Sequence, residues 1–571
     1  MSAAEDPEVS LETPEIIEDD PALVKKLEDP TTEEEEPTGF SVLGMPLAEA
    51  FMMLLKASLA VLLVIYLLAA FIIDFERATF LFVSTVLISF YAGMHYFLSK
   101  EPERSEKLET KLFEALDQIE NSRMVGAVVS FVMLGIMVIL AAVAIDDSRN
   151  LISVLGLVAC VLFTWLFSYH PGKVKWRPVI GSLFIQYIFG YCIMRTSWGL
   201  DAIEFCADQF TYLLGYTYAG SSFVFGFLTD GSLFGRPFQL VDGDSYFLGP
   251  PLFTNVLPSV IFFSSLVSML YYLRVLPFLV KNLGYFLSLV LGTSASESMS
   301  AAGNIFIGQT EAPLLVRPFM KDMTSSELHA VMTGGFATIA GSVFGIYASF
   351  GIDPVALLAS SAMSAPAALA ISKLAYPEIE DSPTAATKKN SYDIPKSEDV
   401  NVVHAASNGA VVGTQLMMNI AGNLISALAI IAMLDAWLTY FGDKVDIYLS
   451  FNAICEVIFY PVAWLMGVDE DDLRIVASLL GYKIFANEFV AYELLAFTYK
   501  DQISARSFYI ASYALCGFSN LGSVGIQLGG LTPLAPNQGE KLAKLVMSAM
   551  IAGNTACIMT ACIAGIFYKE D

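Results

Sequence analysis

The sequence predicts an all-α protein that crosses a membrane many times, and three observations support that fold class. Of its 571 residues, 55% are hydrophobic and only 15% are charged, whereas a soluble chain of this length would carry far more charge on its surface. Apolar runs long enough to cross about 30 Å of hydrocarbon recur along the chain. Near its middle, a polar stretch broken by glycine and proline lies between such runs. We therefore predict a polytopic helical membrane protein with irregular helices at its centre.

The acidic residues are concentrated at the start of the chain. The formal net charge is −26, and the first 39 residues contribute much of it, with the run Glu33–Glu36 and only Lys25 and Lys26 as basic residues. Such a segment is typical of a solvated, disordered tail, with partner binding or sorting as the alternative role. So acidic a chain is not expected to bind nucleic acid. The seven cysteines have no metal-ligand spacing and indicate no disulfide framework.

The apolar runs before the polar stretch predict membrane-spanning helices at residues 46–73, 78–98, 124–145, 151–169, 178–198 and 252–273. Residues 201–218 and 274–285 mix polar and apolar side chains and predict helices that lie at the membrane interface. Lysine and arginine are more frequent in the loops after the second and fourth spans. By the positive-inside rule, these loops and the N-terminal tail face the cytoplasm.

The polar stretch covers residues 292–318, GTSASESMSAAGNIFIGQTEAPLLVRP. Ionisable groups cost several kcal/mol at membrane depth and normally face the protein interior, so Glu311 and Arg317 are candidates for function. Backbone broken by glycine and proline is tolerated at that depth only where protein buries it or where it lines a watery cavity. We predict a re-entrant hairpin of two short helices that meet at Gly308–Glu311.

The second half of the chain repeats this pattern. A glycine-broken helix at residues 332–358 follows the first hairpin, and residues 477–497, with a polar tip at 486–489, predict a second hairpin. Another glycine-broken helix follows at residues 507–526, and the Gly-Phe and Gly-Ser-Val ends of the two recur. Close packing of small residues is the alternative explanation for these glycines. Broken segments in corresponding positions of two halves indicate the binding site of a transporter.

Further spans complete the predicted topology, at residues 411–441, 449–467 and 546–567. The total is about eleven crossings, which places the N-terminus in the cytoplasm and the C-terminus outside the cell. His329 and His404 flank predicted spans and are expected at the interface, and Cys516 is expected to pack as a buried thiol. Glu297, Glu456 and Glu493 are expected to be structural partners.

Five motifs give the chain its resemblance to a known family: GNIFIGQTEAPLLVRP, TIAGSVFGIYASFGI, MSAPAALA, NEFVAYELL and CGFSNLGSVGIQLGGLTPLAP. In this order they resemble the concentrative nucleoside transporter family, and the likeness covers residues 179–566. The three extra spans predicted before residue 151 are similar to the animal branch of that family. The resemblance implies an inverted-repeat fold in which a scaffold supports a transport domain that moves like an elevator. It also implies a homotrimer in the plasma membrane that imports nucleosides together with sodium.

The resemblance also implies the residues of the site. The first hairpin tip would bond the base, and the second tip with the second broken helix would bond the ribose. The implied substrate residues are Gly308, Gln309, Thr310, Glu311, Val343, Glu488, Phe518, Asn520 and Ser523. The implied ligands of the coupling ion, Na⁺, are the side chains of Asn304 and Thr338 and the backbone carbonyls of Ile307 and Ile339.

These residue types suit the implied chemistry. The hydroxyls of a ribose are donors, which carboxylates and amides accept, and a site built for them rejects deoxy analogues because its polar groups would be left unpaired. Sodium prefers oxygen ligands, and Asn and Thr side chains with freed carbonyls supply them. Family members restricted to pyrimidines tend to have Ser where this chain has Gly308. We therefore expect both pyrimidine and purine nucleosides as substrates.

Other interpretations remain open on the sequence alone. A proton-coupled symporter would be expected to lack the two side-chain oxygens of the implied sodium site, and an uncoupled facilitator would not need them. Ion pairs of Glu311 with Arg317 and of Glu488 with Lys483 would make both glutamates structural. An enzyme is not expected, because the sequence has no nucleotide-binding loop and no zinc-protease motif.

The expected division of the chain is an acidic cytoplasmic tail (1–44), three extra N-terminal transmembrane helices (45–150), the first scaffold helices with an interfacial helix (151–290), the first hairpin and broken helix (291–372), a polar loop (373–404), scaffold and connecting helices (405–467), the second hairpin and broken helix (468–530), and a last transmembrane helix with a short extracellular tail (531–571).

Overall fold

The computed structural model describes residues 123–145, 147–229, 253–254, 257–380, 382 and 394–569, with short pieces elsewhere. The chain forms two compact units, Met1–Glu109 and Thr110–Asp571. In the first unit the structure describes a short antiparallel strand pair, β1 (Ser41–Val42) and β2 (Met45–Pro46). Apart from this pair and isolated positions, the predicted acidic tail and the predicted spans at 46–73 and 78–98 lie outside the described residues.

The described part of the second unit is helical except for one antiparallel strand pair, β3 (Pro237–Gln239) with β4 (Ser245–Phe247). Its α-helices are α1 (Arg123–Ala144), α2 (Ser148–Leu166), α3 (Trp176–Arg195), α4 (Ser197–Gly215), α5 (Thr217–Phe225), α6 (Pro258–Tyr272), α7 (Val275–Leu291), α8 (Ala295–Asn304), α9 (Arg317–Met320), α10 (Ser325–Ala337), α11 (Gly341–Ser349), α12 (Pro354–Ala375), α13 (Val402–Asp443), α14 (Phe451–Leu465), α15 (Leu473–Phe485), α16 (Glu488–Glu493), α17 (Ala505–Leu515), α18 (Leu521–Leu531) and α19 (Gly539–Phe567).

Within the described residues, seven helical segments are long and apolar enough to cross a membrane, or eight if α6 and α7 form one bent span. Large apolar side chains lie exposed on these helices, among them Phe131 and Val138 on α1 and Ile425 on α13. Exposure of so much apolar surface to water is unfavourable, at about 25 cal/mol per Å², whereas a lipid tail is as apolar as these side chains. The chain is therefore a helical membrane protein, as the sequence predicts.

After the first polar tip, the helices of the structure begin and end at residues other than those that the sequence pattern predicts. The pattern predicts one broken helix at residues 332–358, but α10 already begins at Ser325, and a separate helix, α12, follows α11. Gly351, at φ 94°, and Asp353, whose carboxylate caps α12, turn the chain between α11 and α12. The residues of α12 itself are mostly small or apolar on every face, so the sequence shows no polar stripe that would distinguish it as a separate helix.

Helices α6 and α13 pack along each other through glycine. A Cβ atom at Gly413 would lie 2.7 Å from the Ile261 Cα, and one at Gly409 would lie 2.5 Å from the Ser264 carbonyl oxygen. Only glycine allows this approach, which is typical of helix pairs in membranes. Helix α7 then bends away from α6 by 77° next to Arg274, whose φ is 64°. The sequence pattern divides the chain at the same residue.

The two broken helices, α10–α11 and α17–α18, cross at their breaks. The Phe518 N–H donates to the Thr338 carbonyl oxygen at 3.3 Å. Gly517, at φ 147°, lies so close to the other break that a Cβ atom would be 3.0 Å from the Phe336 carbonyl oxygen. Helix α19 packs behind them, since a Cβ at Gly553 would lie 2.5 Å from the Phe336 Cβ. The crossing brings the two breaks together in the interior.

The expectation that His329 lies at an interface is wrong. The side chain is fully buried on α10, where its ring stacks on Tyr376 and its two nitrogens lie 2.7 Å from the Ser372 hydroxyl and 3.1 Å from the Ser548 hydroxyl. The error has a physical cause: α10 begins before the predicted start of the helix, so the residue lies inside the packed region. With both nitrogens facing hydroxyls, the ring is a satisfied core histidine.

His404, the other histidine expected at the interface, lies exposed near the start of α13 and 3.4 Å from Asp399. Asp399 also accepts a hydrogen bond from the Ser397 hydroxyl at 2.7 Å. This hydrogen bond favours the ionised carboxylate and is the main cause of a pKa of Asp399 below its ordinary value. The segment before α13 is thus held by local polar contacts.

Glu297 is a structural partner, as expected. Its carboxylate forms a buried ion pair with Lys373 of α12, and the Lys373 ammonium also donates to the Ser326 hydroxyl at 2.9 Å. One charged cluster therefore joins α8, α10 and α12. Because the ammonium has two polar partners, the pair meets the condition under which a buried charge is tolerated.

Candidate functional site

The first polar tip lies between α8 and the 3₁₀-helix Ala312–Val316. A capping box starts α8: the Ser294 hydroxyl accepts the Glu297 N–H, and the Glu297 carboxylate accepts the Ser294 N–H. At the tip the Glu311 carboxylate accepts the Gly308 N–H at 2.8 Å. This bond closes the turn and fixes the direction of the carboxylate.

The second polar tip joins α15 to α16. Asn487 caps α16 with its side chain, and Glu488, only 1% exposed, begins the helix. The Glu488 carboxylate accepts one hydrogen bond from the Tyr347 hydroxyl at 3.1 Å and another from the Asn520 amide at 2.9 Å. The oxygen of that same amide accepts the Ser523 N–H at 2.7 Å and so caps α18. A continuous hydrogen-bonded network therefore connects the first broken helix, the second tip and the second broken helix.

A cavity of about 410 Å³ lies between the two tips and α13. All the predicted substrate residues line it: Gly308, Gln309, Thr310, Glu311, Val343, Glu488, Phe518, Asn520 and Ser523. The opposite wall is mostly apolar and comes from α13, with Ile420, Ile431 and Leu434 among its residues. This volume and this mixture of apolar wall and few polar groups are typical of a small-molecule site.

The predicted side-chain ligands of sodium both lie next to Gly334. Asn304 is buried, and neither atom of its amide has a hydrogen-bond partner among the described residues. Its Nδ2 lies 2.6 Å from the position that a Cβ of Gly334 would take, and the Thr338 hydroxyl donates to the Gly334 carbonyl oxygen at 2.8 Å. Ile307 and Ile339, whose carbonyls complete the predicted set, are buried as well.

An unpaired buried amide costs about 1–3 kcal/mol, so the amide of Asn304 is a place where a ligand is needed. Its oxygen is free to bind a cation, and the Thr338 oxygen keeps its lone pairs while its proton is donated to a carbonyl. Hard cations prefer such neutral oxygen ligands. The residues present therefore fit a sodium ion.

Neither ion pair that would make the tip glutamates structural is formed within the described residues. Arg317 lies 3.4 Å from Glu398, and Lys483 donates to a backbone carbonyl at 2.8 Å. Glu311 and Glu488 instead line the cavity. Their carboxylates are therefore positioned to interact with whatever occupies it.

Sequence reasoning missed several residues near the cavity. Tyr347 follows Val343 by one helical turn and so shares its face of α11, which is a signal the sequence contained. Asn423 and Ser426 line the cavity from α13, where they are spaced to share a face within an apolar helix. Cys516, expected to be a packed thiol, is buried and is not among the residues that line the cavity.

The chain matches the models of one family over most of its length. The model described as "Na+ dependent nucleoside transporter C-terminus" matches residues 356–565, and the corresponding N-terminus model matches residues 155–228. Between them, a model described as "Nucleoside recognition" matches residues 253–353. The nucleoside-recognition model covers the first tip and the first break, and the C-terminus model covers the second tip and the second break.

Sodium/nucleoside cotransporter 2 of Rattus norvegicus is 40% identical over 527 residues, which are 88% of this chain and 75% of that protein. Solute carrier family 28 member 3 of Eptatretus stoutii is 41% identical over 522 residues, 88% of this chain and 73% of that protein. Among solved structures, CNTnw in an inward-facing substrate-bound state aligns with a TM-score of 0.67 at 37% identity, covering 73% of this chain and 98% of CNTnw. The chain belongs to the Na⁺-dependent nucleoside transporter family, whose members are membrane transporters and not enzymes.

Proposed function

We propose that this chain imports nucleosides, both pyrimidine and purine, across the plasma membrane by coupling their entry to that of sodium. The observation that carries the proposal is a cavity lined by the polar residues of both tips and both breaks, next to a buried amide without a partner. The relatives are named as sodium/nucleoside cotransporters. Family and geometry therefore support the same activity.

The second tip suits a ribose. The Glu488 carboxylate and the Asn520 side chain are fixed by the network described above, so they need little ordering when a substrate binds. Carboxylate oxygens accept the hydroxyl donors of a ribose. We assign the ribose to Glu488, Asn520 and Ser523, and the base to the first tip, where Gln309 and Thr310 face the cavity together with Glu311. Phe518 and Val343 provide the apolar surface between them.

Sodium binding and base binding share one helix. Asn304 lies against Gly334, and Gln309 lies against Gly335, where a Cβ would be 2.9 Å from the Gln309 Cβ. In the proposed mechanism, a sodium ion held by Asn304, Thr338 and the two carbonyls ties the first tip to α10 and so orders the base-binding residues. The inward movement of one sodium charge contributes about 2.3 kcal/mol for each 100 mV of membrane potential.

The two walls of the cavity support an elevator movement. One wall is polar and belongs to the tips and breaks, and the other is the apolar face of α13, which packs on α6. Apart from Asn423 and Ser426, this wall offers no polar side chain to the substrate, so the polar part can slide along it as a rigid body. A second cavity of about 700 Å³ shares Glu311 and is lined by Arg317 and by residues 395–399. It is the proposed release route to the cytoplasm.

For the oligomeric state and the orientation in the membrane, we propose what the family resemblance and the charge pattern imply. We propose a homotrimer, in which subunits cover part of the exposed apolar surface of helices such as α13. The N-terminus is cytoplasmic and the C-terminus extracellular. The unpartnered oxygen of Asn304 favours sodium coupling over proton coupling and over a facilitator, since only a carrier that binds a metal cation needs such an oxygen ligand.

The proposal is tested by uptake of labelled uridine and adenosine into cells without their own nucleoside transport, with sodium replaced by choline. Asn304→Ala is compared with Asn282→Ala, a change on the exposed side of α7 whose amide bonds within its own helix. We expect sodium-dependent uptake of both nucleosides and a raised half-saturation concentration of sodium in Asn304→Ala alone.

Each alternative predicts a different result in the same assay. Uptake of uridine without adenosine would refute the broad selectivity and leave the carrier intact. Uptake that does not depend on sodium at any pH would overturn the coupled mechanism and favour a facilitator. Uptake driven by a proton gradient without sodium would favour proton coupling.

A further inference from the structure

Gln527 is a buried polar residue that the proposed site does not yet use. It lies on α18 one helical turn beyond Ser523, so the two share a face. The side chain is fully buried, and neither the oxygen nor the nitrogen of its amide has a hydrogen-bond partner among the described residues. After Ser523, all the residues of α18 except Gln527 are Gly, Val, Ile or Leu. A buried amide without partners is costly, which calls for an explanation.

The position of this amide is fixed by the glycine opposite it. A Cβ atom at Gly335 would lie 2.9 Å from the Gln527 Oε1 and 3.0 Å from its Nε2. The same Cβ would lie 2.9 Å from the Cβ of Gln309. The side chains of Gln309 and Gln527 therefore both lie against the same small patch of α10, which is open only because residue 335 has no side chain.

Gln309 also has an unsatisfied amide. Its Oε1 has no hydrogen-bond partner in the described part of the chain, and the residue is only 6% exposed. Gln309 lines the cavity, whereas Gln527 is not among its lining residues. Gln527 thus lies outside the lining of the cavity and against the same glycine as Gln309, and both amides have polar atoms without a partner among the described residues.

We propose that Gln527 is a positioning residue for the base: its amide, which has no partner among the described residues, pairs with the amide of Gln309 when a nucleoside binds and determines which polar atom Gln309 presents to the substrate. The inference rests on the proposed role of Gln309 in binding the base. An amide carries both a donor and an acceptor. When Gln527 donates to the Gln309 oxygen, Gln309 presents N–H groups to the cavity, and when Gln527 accepts from the Gln309 nitrogen, the Gln309 oxygen faces the cavity.

This pairing gives the site two states of the same shape. Rotating both amides together exchanges donor for acceptor without changing the volume of the cavity. Uracil presents carbonyl acceptors and an N–H donor, and adenine presents an amino donor and ring-nitrogen acceptors, so each base finds a matching state. A single fixed amide would favour one of them, because an unmatched polar group is left unpaired. Broad selectivity follows from the pair and not from Gln309 alone.

The test uses the full chain reconstituted in proteoliposomes, with KM and Vmax measured for uridine and adenosine. Gln527→Met keeps the length of the side chain and removes both polar atoms. We expect KM to rise about threefold to tenfold, the effect of one lost hydrogen bond, with Vmax within about twofold. The decisive measurement is the double mutant: in a Gln309→Ala background, Gln527→Met should leave KM unchanged, because its partner is absent.

Gln186→Met is the matched control. Gln186 is equally buried and also has an unpaired amide oxygen, but it lies on α3 and donates to Thr560. It should keep the KM of the parent. Should Gln527→Met fail to reach the membrane, Gln527→Asn keeps the polarity and withdraws the amide by one carbon, and it is expected to show the same rise that Gln309→Ala abolishes.

A second substrate separates positioning from simple packing. A ribonucleoside with a phenyl ring in place of the base has nothing for Gln309 to bond, so Gln527→Met should not change its KM. Equal increases for this analogue and for uridine, or additive effects of the two substitutions, would overturn the proposal. Absence of nucleoside uptake by the parent chain would instead refute the proposed function, so the two failures are distinguishable.

Discussion

The two polar tips occupy corresponding places in the two halves of the chain, yet they differ in how their polar atoms are satisfied. At the second tip, the Glu488 carboxylate accepts from both Tyr347 and Asn520, so the acidic group is held by two donors. On α8 and at the first tip, the amide of Asn304 and the oxygen of Gln309 have no partners among the described residues.

This difference supports separate binding roles for the two tips in the proposed site. A carboxylate held by two donors is rigid, and its remaining lone pairs suit the hydroxyls of the ribose common to all nucleosides. Groups left unpaired in the interior are costly alone and become favourable when a ligand arrives. In the proposed mechanism, the first tip and α8 therefore bind what varies, the ion and the base, and the second tip binds the constant ribose.

Glu488→Ala should have the largest effect on transport, because it removes the acidic group on which the network of the second tip depends. It removes the acceptor of two buried donors and the proposed partner of the ribose, so we expect Vmax/KM for uridine to fall by about 100-fold or more, the effect of two or more lost bonds. Tracer uptake in proteoliposomes measures it. Glu456→Ala is the control, since Glu456 accepts from Asn452 and does not line the cavity. Near-normal uptake by Glu488→Ala would remove the second tip from the site.

Thr338→Val should act on sodium and spare the substrate. Valine keeps the shape and removes the oxygen, so the half-saturation concentration of sodium should rise about tenfold, with the uridine KM at saturating sodium within about threefold. The control is Thr333→Val in the same helix, because both hydroxyls donate to the carbonyl four residues earlier, at 2.8 and 2.7 Å. Equal effects of the two substitutions would show that helix stability, not ion binding, is responsible.

Tyr347→Phe tests whether the second tip depends on its network. The hydroxyl is one of the two donors to Glu488, so its loss should raise the KM of all ribonucleosides about threefold to tenfold. Tyr492→Phe is a neighbouring control, whose hydroxyl donates to the Ser512 carbonyl at 2.7 Å. A change confined to one class of base would contradict the assignment of this network to the ribose.

Gly308→Ser should have the smallest effect and should show in selectivity. A Cβ at this position would lie 3.0 Å from the Ala340 Cβ and 3.2 Å from a Glu311 carboxylate oxygen, so the added side chain presses on the tip. We expect the KM for adenosine to rise about threefold more than that for uridine, as the loss of a single contact allows. Gly529→Ser, with nothing within 4 Å of its Cβ, is the control. An equal change for both nucleosides would remove Gly308 from selectivity.

The sequence by itself determined the membrane class, the two polar tips, the two breaks and the residues that these tips and breaks contribute to the candidate cavity. These follow from local properties: hydropathy, the effects of glycine and proline on a helix, and motifs that carry a family resemblance. The prediction was weakest where such signals are absent, as at α12, whose mostly small and apolar residues show no polar face.

Only the tertiary structure decided which distant groups meet. It paired Lys373 with Glu297 and Arg317 with Glu398, buried His329 between hydroxyls, and placed the side chains of Gln309 and Gln527 against the same glycine. The physical reason is that a hydrogen bond or an ion pair depends on the positions of two side chains in space. Helix crossings set these positions, and no local pattern of residues encodes them.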